Sequence, residues 1–365
     1  MNTPMPILRA IRARAVLAPF RLPPAAATGA MPHAPLVLVD LETDAGITGR
    51  AYIFTFTPAA QKPVVDLLHN LATLVVGDPV APLELDAKLR RRLTLLDTPG
   101  LVGLALAALD MCAWDVAAQA CGVPLAVLLG GAAKPIRAYN SCGLWLQPIA
   151  QLADEAEALA AEGGFRAIKL RLGRDDPRQD VAAVRAVMKR VGDAVTVMCD
   201  FNQRLTWNDA ILRGRMIDDE GLAWIEEPVR HDDYSGCARV AAALRTPVQG
   251  GENLLSTFEL LQALETRAFD YVMPDVQRIG GVTGWLRAAG IAHAHGIEMS
   301  SHLFPEVSCH LLAATPTAHW LEYVDWATPV VLEPLRPVDG CIAIPDVPGT
   351  GIAWDEAAVA RLLVH

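Results

Sequence analysis

A chain of 365 residues that is 52% hydrophobic and 20% charged carries enough apolar material for a large core, which excludes a disordered or low-complexity protein. Its formal charge of −10 argues against nucleic acid or an anionic membrane surface as partner, and leaves room for a small anion held in a local basic pocket. The seven cysteines are odd in number and form no C-x-x-C pair, so neither a disulfide framework nor a zinc site is indicated and the expected compartment is the reducing cytoplasm.

From the N-terminus, Arg9, Arg12 and Arg14 precede "AVLAPF", a stretch broken by Pro19 and too short for a signal-peptide core, so no export signal is read. Over residues 1–60, "ILRAIRARAVLAPF" and "PLVLVDLETDAGITGRAYIF" alternate polar and apolar positions and predict two or three antiparallel strands with "DAG" as a turn. Between them, "RLPPAAATGAMPHA" reads as a loop. Helical patterning follows to about residue 130. Its apolar stretch "LVGLALAALDMCAWDVAAQACGVPLAVLLGG" contains Asp110 and Asp115 and ends at Gly-Gly, which predicts a buried helix pair and no membrane span.

Beyond residue 130 a rhythm sets in: a short apolar strand ends in a polar residue, a helical segment follows, and another strand begins. The predicted strand ends are Ser141, Lys169, Asp200, Glu226, Glu252, Asp275, His302 and Glu322, in steps of 20 to 31 residues. Eight such units predict an α/β fold closed as a TIM-type barrel of parallel strands, whose active site lies at the C-terminal strand ends. Charged groups at buried strand ends are costly unless paired or metal-bound.

Asp200, Glu226 and Glu252 end three consecutive strands, 26 residues apart both times. Adjacent strands lie about 4.8 Å apart, so three carboxylates converge and need a cation. An oxygen-only set predicts Mg²⁺, with Mn²⁺ able to substitute, and leaves positions open for a carboxylate substrate. Asp275 and His302 end neighbouring strands and suit a dyad in which the carboxylate orients the imidazole. The histidines at 293, 295, 310 and 319 read as structural. Glu322 could hydrogen-bond a substrate oxygen if burial keeps it protonated. In "AIKLRLG", Lys169 and Arg171 share one face of a strand. Such a site suits abstraction of a proton next to a carboxylate.

The segments "IKLRLG", "CDFNQ", "WIEEP", "GENLL", "MPDVQRIGGVTGW", "MSSHLF" and "HLLAATPTAHWLE", with "PLVLVDL" near the start and "IPDVPGTGI" near the end, resemble the enolase superfamily, mandelate racemase subgroup, in order and spacing. The resemblance implies an α+β capping domain over 1–130 with a lid loop at about 20–34. It further implies a modified (β/α)7β barrel over 131–335 and a segment, 336–365, that returns to the cap. It implies Asp200, Glu226 and Glu252 as Mg²⁺ ligands, and Asn202 on the substrate hydroxyl. Lys169 and Ser141 would hold the carboxylate, Glu322 would act as electrophile, and His302 with Asp275 would be the base on the R face. It also implies a homo-oligomer, up to an octamer.

Arg171 departs from the pattern, since the subgroup carries there a second lysine that is the base on the S face. A lysine loses its proton readily when buried near other charges, whereas an arginine, with a pKa above about 12, seldom does. Two outcomes are therefore open. One is a racemase or epimerase of an apolar 2-hydroxy acid, and the alternative is an acid-sugar or 2-hydroxy acid dehydratase with His302 as single base. Leu22, Pro24, Ala25, Ala26, Met31 and Phe56 give the lid region an apolar character that suits an aryl or alkyl substituent. Leu22 and Phe56 replace tyrosines of the subgroup, and Cys142 replaces a histidine. Two readings from other classes are a hydrolase using Glu226 and Glu227, disfavoured because adjacent strand residues face opposite ways, and a binding protein that captures a carboxylate without turnover.

Overall fold

The computed structural model describes residues 5–26, 29–96 and 98–364. Apolar alternation builds the first strand, β1 (Leu8–Pro19), whose side chains are buried and exposed by turns. Two short strands, β2 (Ala25–Ala26) and β3 (Gly29–Ala30), pair within the expected lid, of which Ala27 and Thr28 lie outside the described residues. The strands β4 (His33–Thr43) and β5 (Thr48–Phe54) complete an antiparallel sheet in the order β1-β4-β5. β4 is the central strand and is buried on both faces, with an unbroken buried run from Ala34 to Leu41.

Three helices cover this sheet: α1 (Gln61–Val75), α2 (Pro82–Arg92) and α3 (Leu101–Cys121). α3 is apolar nearly all round because it is packed on several sides, against β5, α1 and α2. Each fully buried leucine or valine on it contributes on the order of 1.5–3 kcal/mol. Its two aspartates are both anchored. Asp110 accepts from Thr283 N at 2.9 Å and Thr283 Oγ1 at 2.5 Å, and Asp115 accepts from Arg50 N at 2.8 Å and Thr350 N at 2.7 Å. Burial pushes Asp110 up to about 7 and Asp115 up to about 6.

The short helix α4 (Leu125–Leu128) leads into the barrel. Its strands are β6 (Ile136–Asn140), β7 (Ala167–Arg171), β8 (Thr196–Asp200), β9 (Ile225–Glu226), β10 (Val248–Gly250), β11 (Tyr271–Val272) and β12 (Leu321–Tyr323). Neighbours from β6 to β11 pair in parallel, and β12 returns to pair with β6. The stave between β11 and β12 is residues 299–302, joined to both sides through bridges from Met299 to Val272 and to Ala318. Seven helices alternate with these eight staves: α5 (Ile149–Ala161), α6 (Pro177–Val191), α7 (Trp207–Ile217), α8 (Tyr234–Ala243), α9 (Thr257–Glu265), α10 (Gly281–His295) and α11 (Pro305–Ala313). This is the (β/α)7β arrangement expected from the sequence. Tyr139, Ala167, Met198, Trp224 and Trp320 fill the barrel below the strand ends.

After β12 the chain forms β13 (Pro337–Val338) and β14 (Cys341–Ile342), the latter antiparallel to β6. It then reaches the cap, where Trp354 Nε1 donates to Asp40 at 2.8 Å and α12 (Glu356–Leu362) lies against β1. Cap and barrel also meet at α3 and α10. Gly281 has φ +73°, and a Cβ there would sit 2.3 Å from the Asp110 carboxylate, so only glycine lets that acid reach the start of α10.

His310 on α11 is a structural histidine. Its Nδ1 accepts from Ala126 N at 3.2 Å and its Nε2 donates to Thr350 O at 3.1 Å, so the fold requires the neutral ring. Burial pulls it down from 6.5 to about 4. Between these values the unfolded chain takes up a proton and the fold does not, so stability falls as pH drops from 6.5 toward 4, by up to about 3 kcal/mol. Urea unfolding at pH 4.5 and 7 should show a smaller pH dependence for His310→Gln than for the parent. Equal dependence in the two proteins would show that this ring does not set the slope.

Candidate metal and proton-transfer site

The C-terminal strand ends place Asp200, Glu226 and Glu252 so that one carboxylate oxygen from each lies within 4.8 Å of the others. The strands end sooner than the sequence rhythm suggests. Glu252 lies two residues past β10, Asp275 three past β11, and Lys169 lies within β7, deeper in the barrel. Lys169 is 1% exposed, above the aromatic floor, with its ammonium 5.8 Å from the Tyr139 ring. The ammonium contacts Glu226, Glu322 Oε1 at 2.8 Å and Asp200 Oδ2 at 3.4 Å.

Three buried carboxylates thus share one ammonium. Burial would lower the Lys169 pKa, but Glu226, Glu322 and Asp200 outweigh it and hold the ammonium charged. Burial pushes Glu226 up to about 8, since the other carboxylates oppose what Lys169 gains for it. Burial also raises Glu252, although His302 draws it back. The three-oxygen cluster is short of positive charge, and a hard divalent cation is the ligand that such a donor set fits. Asn202 follows with φ +44°, donating from its backbone to Asp200 Oδ1 at 2.7 Å and from its side chain to Oδ2 at 3.0 Å.

Opposite lies the expected dyad. His302 Nδ1 is 2.7 Å from Asp275 Oδ2, and Asp275 Oδ1 accepts from Gln277 N at 2.8 Å. Holding Nδ1–H leaves Nε2 as the basic nitrogen, 3.5 Å from Glu252 and 3.9 Å from Glu322. Burial lowers the imidazolium pKa, but Glu252, Glu322 and Asp275 together carry it up to about 10, a pull that a divalent cation held beside Glu252 would offset, freeing Nε2 to act as a base.

Two expectations change. Glu322 is not kept protonated: burial raises its pKa, but Lys169, His302 and the Leu303 amide at 2.9 Å pull it far below the usual range, so it is an ionised acceptor here. Ser141 Oγ donates to Glu322 Oε1 at 2.8 Å and accepts from Arg171 at 2.7 Å, which leaves its single proton engaged within the protein.

Arg171 is 4% exposed and fixed from several sides. One terminal nitrogen donates to the carbonyls of Gly143 at 2.9 Å, Ser141 at 3.1 Å and Lys169 at 3.3 Å, and the guanidinium lies 4.0 Å from the Trp145 ring centre.

A cavity of about 240 Å³ opens over these groups, below the usual range for drug-sized ligands. Of the residues expected from the lid region, Pro24, Met31 and Phe56 line it, whereas Leu22 contributes its carbonyl to Trp145 Nε1 at 3.3 Å and is not in the wall. Sequence reasoning missed Phe54, Trp145, Leu303 and Trp326 on the apolar side and Gln203, Asn253 and Arg278 on the polar side. Arg278 and Asn253 stood within quoted segments, but nothing in residue type alone aims them inward. Glu227 also lines the cavity. The alternation argument fails for it because β9 stops at Glu226 and the backbone turns to φ +38° at Glu227. Five of the nine described non-glycine residues with positive φ line this cavity: Phe56, Asn202, Gln203, Glu227 and Leu303. Local strain is concentrated at the site.

Comparison with known proteins agrees with this geometry. Residues 9–130 match the family model "Mandelate racemase / muconate lactonizing enzyme, N-terminal domain", and residues 151–358 match "Enolase C-terminal domain-like". An enolase from the alpha proteobacterium bal199, crystallised with bound Mg, is 46% identical with a TM-score of 0.96 over 98% of this chain and 99% of its own. An enolase from Bradyrhizobium, complexed with magnesium and mandelic acid, is 40% identical with a TM-score of 0.95 over 100% of both chains. L-talarate/galactarate dehydratase of Salmonella typhimurium is 32% identical over 88% of this chain and 81% of its own length.

Isothermal titration of the protein with Mg²⁺ should give one site, and Asp200→Asn or Glu252→Gln should weaken it by more than the roughly 10–100-fold typical of losing an outer partner of a ligand. A variant that binds Mg²⁺ as the parent does would remove that residue from the ligand set.

Proposed function

The chain belongs to the enolase superfamily, mandelate racemase subgroup, and from that premise we propose a Mg²⁺-dependent hydro-lyase in which His302 takes the α-proton of a small 2-hydroxy carboxylate bearing a β-hydroxyl, from one face only. Asp200, Glu226 and Glu252 would hold Mg²⁺. When bound, the ion supplies a Lewis-acid charge that favours the ionised substrate carboxylate. Lys169 adds a fixed ammonium at the floor, and Asn202 is placed to meet the substrate hydroxyl.

The observation that carries the one-sided reading is Arg171. Its two terminal nitrogens donate to three backbone carbonyls and Ser141, and a guanidinium, unlike an amine, does not give up its proton in a protein, so it has no lone pair with which to act as a second base. With His302 as sole base, Nε2 accepts the α-proton and the C–H electron pair becomes the π bond of the enediolate. That pair then forms the bond to the β-carbon as the β-hydroxyl departs, taking the proton back from His302 and leaving as water. The remaining enol becomes a 2-oxo acid. His302 therefore ends as it began, and no other oxidant or acid is required.

The racemase or epimerase reading draws support from the aromatic side of the cavity and from the relative crystallised with mandelic acid. It requires a base opposite His302, at the position where this chain has the pinned arginine.

Proton NMR in D₂O with Mg²⁺ and separate enantiomers of 2-hydroxy and 2,3-dihydroxy acids tests the choice. Exchange or elimination is expected from the R isomer alone, with His302→Asn lowering it by about 10²–10⁴-fold. Arg171→Lys is expected to bring in exchange from the S isomer. Interconversion of both enantiomers by the parent would overturn the one-base reading.

A further inference from the structure

Three cationic side chains line the cavity, and the proposed reaction accounts for two of them. Lys169 sits among carboxylates at the floor, and Arg171 is fixed to backbone carbonyls. The third, Arg278, lies three residues past Asp275, at the mouth, and belongs to neither the metal cluster nor the dyad. Other half-buried or buried arginines, such as Arg14, Arg174 and Arg213, each face an aspartate. Arg278 does not. Among the described residues its single side-chain hydrogen bond runs from a terminal nitrogen to the neutral Asn253 Oδ1 at 2.6 Å, and its Nε is buried without an acceptor.

The surroundings hold this guanidinium in place without neutralising it. It stacks 4.3 Å from the centre of the Phe56 ring, which the cap supplies, and its own amide is fixed on Asp275 Oδ1 at 3.3 Å. Asn253, whose oxygen takes the Arg278 hydrogen bond, turns its amide nitrogen to Glu227 Oε1 at 2.7 Å and Glu252 Oε1 at 3.4 Å. Glu227 is in turn held by Gln203 Nε2 at 3.0 Å. A stacked, preoriented fork with free donors is a means of recognising a carboxylate in two-point fashion.

We infer that Arg278 is a specificity-determining residue that binds a second carboxylate, at the end of the substrate remote from the reacting carbon. The substrate class is then a short 2-hydroxy dicarboxylate that also carries the departing β-hydroxyl, its reacting end at the Lys169 floor and its distal end between Phe56 and Asn253. The inference rests on the reading of this cavity as a 2-hydroxy acid site and names the group that distinguishes its substrate from a monoacid of the same length.

The test is isothermal titration of the Mg²⁺-loaded protein with matched pairs: malate against 2-hydroxybutanoate, and 2-hydroxyglutarate against 2-hydroxypentanoate, both enantiomers of each. The parent should bind the diacid of at least one pair about 10-fold or more tightly than its monoacid, the scale of one charged hydrogen-bonded contact. Arg278→Met, which keeps an apolar stem against Phe56, should erase that preference and leave the monoacid unchanged, and Arg278→Lys should restore part of it. Equal affinity within both pairs, binding by no member, or a preference that survives Arg278→Met overturns the assignment. α-Proton exchange on the monoacid is read separately. Exchange without a diacid preference sinks the Arg278 role alone, and a preference without exchange sinks the His302 role alone.

Discussion

The structure depends on a deficit of positive charge. Asp200, Glu226, Glu252 and Glu322 meet over a buried floor of Tyr139, Met198 and Trp224, and among the described residues Lys169 is the one ammonium within reach of all but Glu252. Burying such a set costs far more than one ion pair returns unless a divalent cation completes it. The barrel provides what this requires: parallel strands whose ends fall close together and whose frame keeps the acids from moving apart. Trp224 Nε1 donating to Glu226 Oε2 at 3.0 Å shows the floor also orienting one of these acids.

The same deficit explains why Glu322 behaves otherwise than burial alone suggests. A lone buried carboxyl takes up a proton, but here Lys169, Ser141 and the Leu303 amide all donate to it. Partners of this kind are set by the fold and are invisible along the sequence. The eight polar strand ends were legible because a parallel barrel repeats its strand, helix and loops at similar length, and the clustering of Asp200, Glu226 and Glu252 because 26-residue steps deliver adjacent staves. His302 and Asp275 were legible for the same reason. Lost to sequence reasoning were the loop side chains, where positive φ at Asn202, Gln203 and Glu227 breaks the period on which alternation arguments rest.

Arginine at position 171 ties the strand ends together without disturbing the fold. Its guanidinium donates to carbonyls that a lysine could satisfy only in part, and it hands Ser141 on to Glu322. The connection between β6 and β7 is thereby tightened around a group that holds its proton. A lysine there would trade that rigidity for a titratable amine.

Proton transfer and recognition are built from different parts of the molecule. The acids, Lys169 and His302 belong to barrel staves, while Pro24, Met31, Phe54 and Phe56 come from the cap. The two meet at a few fixed points: Gln277, two residues after Asp275, both accepts from Phe54 N at 3.0 Å and donates to Phe54 O at 3.2 Å, and Tyr52 donates to Glu306 at 2.7 Å. Because Gln277 also donates its amide to Asp275, the strand that supplies Phe54 is registered directly against the His302 dyad. A change in the lid can therefore alter which substituent fits, while the position of the base relative to the acids is held by contacts that the lid does not share.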